Sequence, residues 1–270
     1  MNSTKVILAG AGPGDPELIS LKALRYLKSA DVILIDRLVS PELIELYASK
    51  TARVVYVGKQ CSKGIHTPQE QINDLMVSYA QLGLKVLRLK GGDVSIFSNI
   101  LDELTVLKKH NINYEIIPGI SAALGAAAYS GIPLTARGYS RAVRFLTLCD
   151  TENITKGTWQ DLAQTQDTLV FYMSGQKLKY LVNSLINNGI AADKGIAVIQ
   201  QASTIYQRTT VYSFKDLQQQ QLIEFEYVPT LFIVGKVVEL HNKFSWKQEI
   251  KTREIHSYFD NHIKEFQHAI

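Results

Sequence analysis

Two hydrophobic rhythms interleave along this chain. Short apolar runs at residues 6–9, 32–35, 54–57, 84–89 and 114–117 have the length and the Val/Ile/Leu content of buried strands. Between them apolar residues recur at helical spacing: Leu21, Leu24 and Leu27; Ile72, Leu75, Met76 and Tyr79; Leu101, Leu104 and Leu107. The sharpest helix start is Thr67-Pro68-Gln69-Glu70. It predicts Thr67 as N-cap, Pro68 at the first helical position, Glu70 closing a capping box, and Gly83 as the stop. Small residues fill 122–128, which predicts a tightly packed helix with Ser121 near its N-terminus and a break at Gly131.

The second half alternates less regularly. Strands are predicted at 143–148, 169–173, 196–199, 209–212 and 230–234, the last two antiparallel in part. Leu178, Leu181, Val182, Leu185 and Ile186 mark a helix ended by Gly189. Residues 218–221 read as a polar surface turn. The charged tail beyond Trp246 reads as a helix carrying Ile250, Ile255, Phe259, Ile263 and Phe266. Strands alternating with helices imply a mostly parallel sheet. The expected fold class is therefore α/β, with an N-terminal domain over 1–135, a C-terminal α/β domain over 136–246 and a tail over 247–270.

Composition narrows the class. An apolar fraction of 46% and a charged fraction of 20% over 270 residues are those of a soluble globular protein. No apolar run approaches the ~20 residues of a membrane span, and the first residues lack the shape of a signal peptide. Two cysteines, Cys61 and Cys149, make no disulfide framework, so a cytoplasmic location is expected. A net charge of +4 without Lys/Arg runs argues against nucleic acid and is compatible with a small polyanion. His256, His262 and His268 are spaced six apart and share no helical face, so no metal site is expected.

Candidate chemistry gathers where strands give way to loops, the place where open α/β sheets bind ligands. Leu89-Lys90-Gly91-Gly92-Asp93 puts two glycines and a carboxylate there. It is either a ligand-binding turn or a tight turn with a solvated aspartate. Gly10-Ala11-Gly12-Pro13-Gly14-Asp15 begins like a dinucleotide fingerprint and fails as one. The last glycine position holds Asp15, Pro13 lacks an N–H, and the following helix starts late, near Ser20. It reads as a ligand-facing turn. Asp36-Arg37 ends the second strand and is either a site pair or a surface ion pair.

In their order and spacing these segments resemble the tetrapyrrole methylases, S-adenosylmethionine-dependent methyltransferases without a Rossmann fingerprint. The likeness is nearest to the members that C-methylate uroporphyrinogen III and covers about residues 5–246. Its carriers are the Gly10–Pro16 turn, Asp36-Arg37-Leu38-Val39-Ser40, Val57-Gly58-Lys59, Arg88 through Asp93, Pro118-Gly119-Ile120-Ser121-Ala122, Ala128 through Thr135 and Phe171-Tyr172-Met173. The resemblance implies two α/β domains with a ligand cleft between them, and a homodimer. It places S-adenosyl-L-methionine against Pro13, Gly91, Gly92, Asp93, Ile96, Ser121, Ala122, Met173 and Ala202, with Asp93 accepting from ribose hydroxyls or the amino group. It assigns proton transfer to Asp36 and Lys59, and substrate contacts to the positions of Arg37, Asn99, Asp102 and Arg137. Arg141 and Arg144 are further candidates for carboxylate partners or are solvated surface charges. The implied reaction methylates uroporphyrinogen III on rings A and B to give precorrin-2, for sirohaem or cobalamin synthesis.

The chain departs from the family pattern on the substrate side. Asn99 stands where an arginine is expected, Asp102 where a glutamate is, and Ala136 where a histidine precedes Arg137. Two other outcomes stay open: a methyltransferase for a later corrin precursor, and a member that binds the cofactor without turnover.

Overall fold

The computed structural model describes residues 5–60, 65–148, 154–173, 175, 177–217, 228–249 and 257–259, without the side chains of 59–60 and 65–66. Its described residues form two units. One holds the chain up to Ala122 together with Tyr258 and Phe259; the other runs from Ala123 to Ser257.

In the first unit β1 (Lys5–Gly10), β2 (Val32–Ile35), β3 (Arg53–Tyr56), β6 (Val86–Lys90) and β7 (Asn113–Ile117) make a five-stranded sheet in the order β3-β2-β6-β1-β7. Every pairing in it is parallel. A separate two-residue ladder joins β4 (Lys59–Gln60) to β5 (Ile65–His66). Helices α1 (Leu21–Leu27), α2 (Pro41–Tyr47), α3 (Gln69–Gln81) and α4 (Ile100–Lys109) cover the parallel sheet on both faces. Ile7, Ala9, Ile33, Ile35, Leu87 and Leu89 pack with Ala23 and Leu27 of α1 and Leu43 and Ile44 of α2. Val6, Leu8, Val32, Leu34 and Val86 pack with Ile72, Met76 and Ala80 of α3 and Leu107 of α4. Burial on both faces is why these strands are apolar at nearly every position instead of alternating.

Local chemistry accounts for the helix ends, with one change from expectation. The Ser20 hydroxyl caps α1 by accepting from the Ala23 N–H at 3.3 Å. The predicted capping box of α3 is not made: Pro68 itself occupies the N-cap, extended at ψ 148°, and no side chain caps the helix. The Pro68 carbonyl accepts the first helical bond from Ile72 N–H at 3.2 Å, so Thr67 lies one residue too early. At the other end Gly83, at φ +82°, closes a Schellman turn. Gly83 N–H donates to the Ala80 carbonyl and Leu84 N–H to that of Tyr79. The same pair of bonds ends α4 at Asn111 and the helix before Gly189. Leu21 and Leu101, expected on buried stripes, are 85% and 70% exposed. Ala23 and Leu27, and Glu103 and Leu107, form the buried faces instead.

The second unit carries α5 (Ala122–Ser130) from its second residue, then β8 (Val143–Thr147), α6 (Lys156–Gln164), β9 (Thr168–Tyr172), α7 (Leu178–Asn187), β10 (Gly195–Gln200), β11 (Arg208–Ser213), α8 (Phe214–Leu217), β12 (Thr230–Gly235) and α9 (His241–Phe244). Its sheet runs β11-β10-β12-β9-β8, with β8 and β9 parallel and the remaining pairs antiparallel. Leu169, Phe171, Ile196, Val198, Phe232 and Val234 form a core with Trp159 and Leu162 of α6, Leu181 and Leu185 of α7, and Phe214.

The unit boundary falls after Ala122, the first residue of α5, whereas the apolar pattern placed a domain boundary at residue 135. The small residues of α5 are held from the second unit. Ala123 N–H donates to the Tyr172 hydroxyl at 3.1 Å, Trp246 Nε1 to the Ala128 carbonyl at 2.8 Å, and His241 Nδ1 lies 2.6 Å from the Ser130 carbonyl. The predicted turn at 218–221, both cysteines and most of the predicted tail helix, His256, His262 and His268 included, lie outside the described residues.

Candidate active site

Five strand ends line up along the carboxyl edge of the first unit's sheet, and glycine lets their turns pack backbone against backbone. A Cβ on Gly58 would lie 2.5 Å from Arg37 N, and one on Gly91 2.7 Å from the Leu38 carbonyl oxygen. A Cβ on Gly10 would lie 2.5 Å from the Gly92 oxygen and 2.7 Å from Gly119 Cα. Ladder bonds continue into the turns. Ala11 N–H donates to the Lys90 carbonyl at 2.8 Å, and Gly12 and Gly92 exchange bonds at 3.2 and 2.7 Å. Gly92, at φ +68°, differs from its neighbours. Among the described residues a Cβ there would touch only Ala122 N, at 3.5 Å, so this side of Gly92 is less crowded than those of Gly10, Gly58, Gly91 and Gly119.

Asp93 staples this edge. Its Oδ2 accepts from Gly119 N–H at 2.8 Å, and its Oδ1 from Ser95 N–H at 2.8 Å and from the Ser95 hydroxyl. Burial pushes this carboxyl up, but the donors from Ser95, Gly119 and Val94 outweigh it and hold the group below its ordinary value. Bonded in this way to its own chain, Asp93 is placed to shape the turn. Pro13 and Ser121 are buried on the same edge, and Ile96 and Ala122 are half-buried.

Asp36 follows β2 on this edge. Its Oδ1 lies 2.5 Å from Nη2 of Arg88, which is 2% exposed. Arg88 Nε donates to Glu103 Oε1 at 2.8 Å, and Lys90 Nζ to Glu103 Oε2 at 2.7 Å. Burial and the Arg88 charge push the Lys90 ammonium down, although Glu103 opposes them. Arg88 moves the other way: burial opposes its charge, and Asp36 and Glu103 more than restore it. Removing one partner from such a set typically costs about 3–5 kcal/mol, because a charge is left buried alone.

The other expected residues separate by position. Arg37 is half-buried beside Gly58. Lys59 opens β4, and its side chain lies outside the described residues. Asn99 is exposed before α4 at φ +55°, a left-handed conformation asparagine tolerates better than arginine, and its Nδ2 donates to Asp102 Oδ2 at 2.7 Å. In the second unit Met173 (50% exposed, φ +49°) and Ala202 (buried) follow β9 and β10, on the same end of that sheet. Arg137 is exposed in the turn where Ala136 N–H bonds the Ser140 carbonyl. Arg144 is spoken for: Asp167, Asp161 and Thr165 occupy its guanidinium.

Sequence reasoning missed Arg88 and Glu103 as site residues. A signal existed. Alternation along β6 puts Val86, Arg88 and Lys90 on one buried face, so two cations there demand a buried anion.

Comparison with known proteins adds to this geometry. The sequence model of the tetrapyrrole (corrin/porphyrin) methylases matches residues 5–218. Among curated relatives, a sirohaem synthase of Pseudomonas fluorescens (strain Pf0-1) is 44% identical over 243 residues, covering 90% of this chain and 52% of that protein. A sirohaem synthase of Pseudomonas aeruginosa (strain LESB58) is 43% identical over 242 residues, with the same coverage. The chain thus spans about half the length of these relatives. A uroporphyrin-III-C-methyltransferase structure from Thermus thermophilus superposes with a TM-score of 0.73 at 32% identity, covering 91% of this chain and 98% of that one. A complex of the Thermus protein with S-adenosylhomocysteine gives 0.71 at 31% identity over 87% and 99%. A cobalt precorrin-4 methyltransferase gives 0.72 at 26% over 87% and 95%.

Proposed function

We propose a reaction for this chain from the premise that it belongs to the tetrapyrrole (corrin/porphyrin) methylases, S-adenosylmethionine-dependent methyltransferases of the class III fold: C-methylation of uroporphyrinogen III on rings A and B, giving precorrin-2 for sirohaem or cobalamin synthesis. The observation that carries this reading is the likeness to the Thermus uroporphyrin-III-C-methyltransferase, which extends over nearly all of both chains.

The first unit's edge suits the cofactor. Pro13 offers no N–H, and α1 begins only at Leu21, so the Gly10–Asp15 turn is no phosphate cradle. Small residues and the open side of Gly92 suit the close approach of a ligand to the backbone. We assign Pro13, Gly91, Gly92, Asp93, Ile96, Ser121, Ala122, Met173 and Ala202 to holding the cofactor, and the bonds from Asp93 to Ser95 and Gly119 to keeping the turns in place. S-adenosylmethionine supplies an electrophilic methyl on a sulfonium centre.

Asp36 has the chemistry for the other half of the reaction. A methylated pyrrole ring carries positive charge and must shed a proton from a neighbouring methylene. A half-buried carboxylate stabilises that charge and accepts the proton. Lys59 is assigned to assist. Arg37 and Arg137 are assigned to substrate carboxylates, which guanidinium forks match. Asn99, tied to Asp102, is a neutral contact at most. That change is the specific observation favouring a second reading, a later corrin precursor as substrate.

Methyl transfer from labelled S-adenosylmethionine, run with uroporphyrinogen III and in parallel with a cobalt-precorrin, separates the two. Label in the first alone supports the proposal; label in the second alone transfers it to the runner-up. Cofactor binding without transfer to either would leave a non-catalytic member.

A further inference from the structure

We infer that Arg88 is a positioning residue that fixes the Asp36 carboxylate for methyl transfer; the inference rests on the reading that Asp36 acts in that reaction.

Arg88 lies in the middle of β6, with β2 on one side and β1 on the other. Its register neighbours there are Leu8 and Leu34, both fully buried and apolar. A leucine would serve that position if packing were the only demand. Replacing a buried ion set by apolar residues is often neutral or stabilising, so stability alone does not explain two cations on this face.

The set has a direction. Glu103, at 0% exposure, is enclosed between Arg88 Nε (2.8 Å) and Lys90 Nζ (2.7 Å), and these two cations are each 2% exposed. Arg88 Nη1 is also aimed at the Leu34 carbonyl, 3.4 Å away. Of the four charged side chains only Asp36 reaches the surface, at 29% exposure. Two cations and two carboxylates balance, and the series ends at the sheet edge where the expected cofactor residues stand.

The guanidinium fork makes this more than neutralisation. With Nε fixed on Glu103, the planar group has one orientation, and Nη2 meets Asp36 Oδ1 at 2.5 Å. Among the described residues no hydrogen bond reaches Asp36 Oδ2. One oxygen is thus pinned and the other presented in a set direction. A lysine at 88 keeps the charge but cannot hold Glu103 and Asp36 at once.

Four proteins test this: wild type, Arg88→Lys, Asp36→Asn and the double variant, each in single-turnover methyl transfer. Arg88→Lys is expected to slow transfer about 10- to 100-fold, the range of a misplaced reacting group. The KM for tetrapyrrole and the affinity for S-adenosylhomocysteine are expected to stay within about twofold. In the Asp36→Asn background the same change is expected to have no further effect, because Arg88 works through that carboxylate. Equal losses in both backgrounds, or no loss in Arg88→Lys, would overturn the inference. Should Arg88→Lys fail to fold, Glu103→Gln, which loosens the fork, replaces it with a smaller loss and the same dependence on Asp36.

Crystal structures give a readout independent of substrate. The Asp36 carboxylate is expected to rotate or lose order in Arg88→Lys, and an unmoved carboxylate overturns the inference. A wild type inactive on uroporphyrinogen III, with Asp36 displaced in the variant, sinks the substrate reading alone.

Discussion

Asp93 Oδ2 accepts the Gly119 N–H at 2.8 Å, joining the turn after β6 to the turn after β7, two strands that do not pair with each other. The strand between them, β1, ends in Gly10, which packs against both Gly92 and Gly119. The carboxylate therefore closes a clasp over three neighbouring turns.

That clasp is sensitive to acid. The Asp93 carboxyl is held below its ordinary value, so the folded protein takes up its proton less readily than the unfolded chain. Its stabilisation is fully present above the unfolded value, near pH 4, and is lost as pH falls through the lower folded value. Asp93→Asn, whose single amide oxygen can accept from Gly119 N–H or from Ser95 but not from both, is expected to lower the Tm at pH 7. The gap from wild type should narrow as the pH approaches 3. A gap independent of pH would contradict a carboxylate-specific role.

Alanine at two glycines is expected to act with opposite signs. At Gly119 the new Cβ would collide with the Gly92 oxygen and lie 2.8 Å from Gly10 Cα, all of it backbone. A loss of about 1–3 kcal/mol or more is expected, with weaker S-adenosylhomocysteine binding. At Gly157, in the first turn of α6, a Cβ would meet, among the described residues, only Thr155 Oγ1 at 3.9 Å. A gain of about 0.4–1 kcal/mol is expected there. Urea denaturation reads both.

Asn99→Ala gives up the Asp102 bond and puts a less tolerant residue at φ +55°. A loss of about 1 kcal/mol is expected, and Asn99→Gly should recover most of it. If alanine proves neutral, the left-handed cap is not under strain.

The Tyr258 hydroxyl is 2.7 Å from that of Ser40, in the segment that follows Asp36, and both residues are buried. Tyr258→Phe leaves Ser40 unmet and is expected to cost about 1 kcal/mol. Burial pushes the Tyr258 hydroxyl up to about 12. The unfolded chain ionises first, near pH 10, so this stabilisation declines between the two values in wild type and not in the variant. Matched alkaline denaturation of the two proteins checks this.

Much of the first unit was legible because its strands are buried on both faces and therefore read as unbroken apolar runs, as in Val32–Ile35. Glycine and serine punctuation located α1 and the end of α3. The rest required tertiary context. Helix α2 is a single short segment in which Leu43 and Ile44 carry the burial, too little to show a period. The affiliation of α5 depends on Tyr172, Trp246 and His241, distant in sequence. Arg88 looked like a polar break in a strand because its acid partners come from β2's end and from α4. The family motifs led to Asp36 and to the glycine turns, whereas the bonds that join Asp93 to Ser95 and Gly119 emerged only from coordinates.

The most direct measurement is the mass of the product after anaerobic incubation with uroporphyrinogen III and methyl-labelled S-adenosylmethionine. A gain of two methyl groups on one tetrapyrrole is expected, with Asp36→Asn binding the cofactor and transferring little. A tetrapyrrole of unchanged mass, from protein that binds S-adenosylhomocysteine, would contradict it.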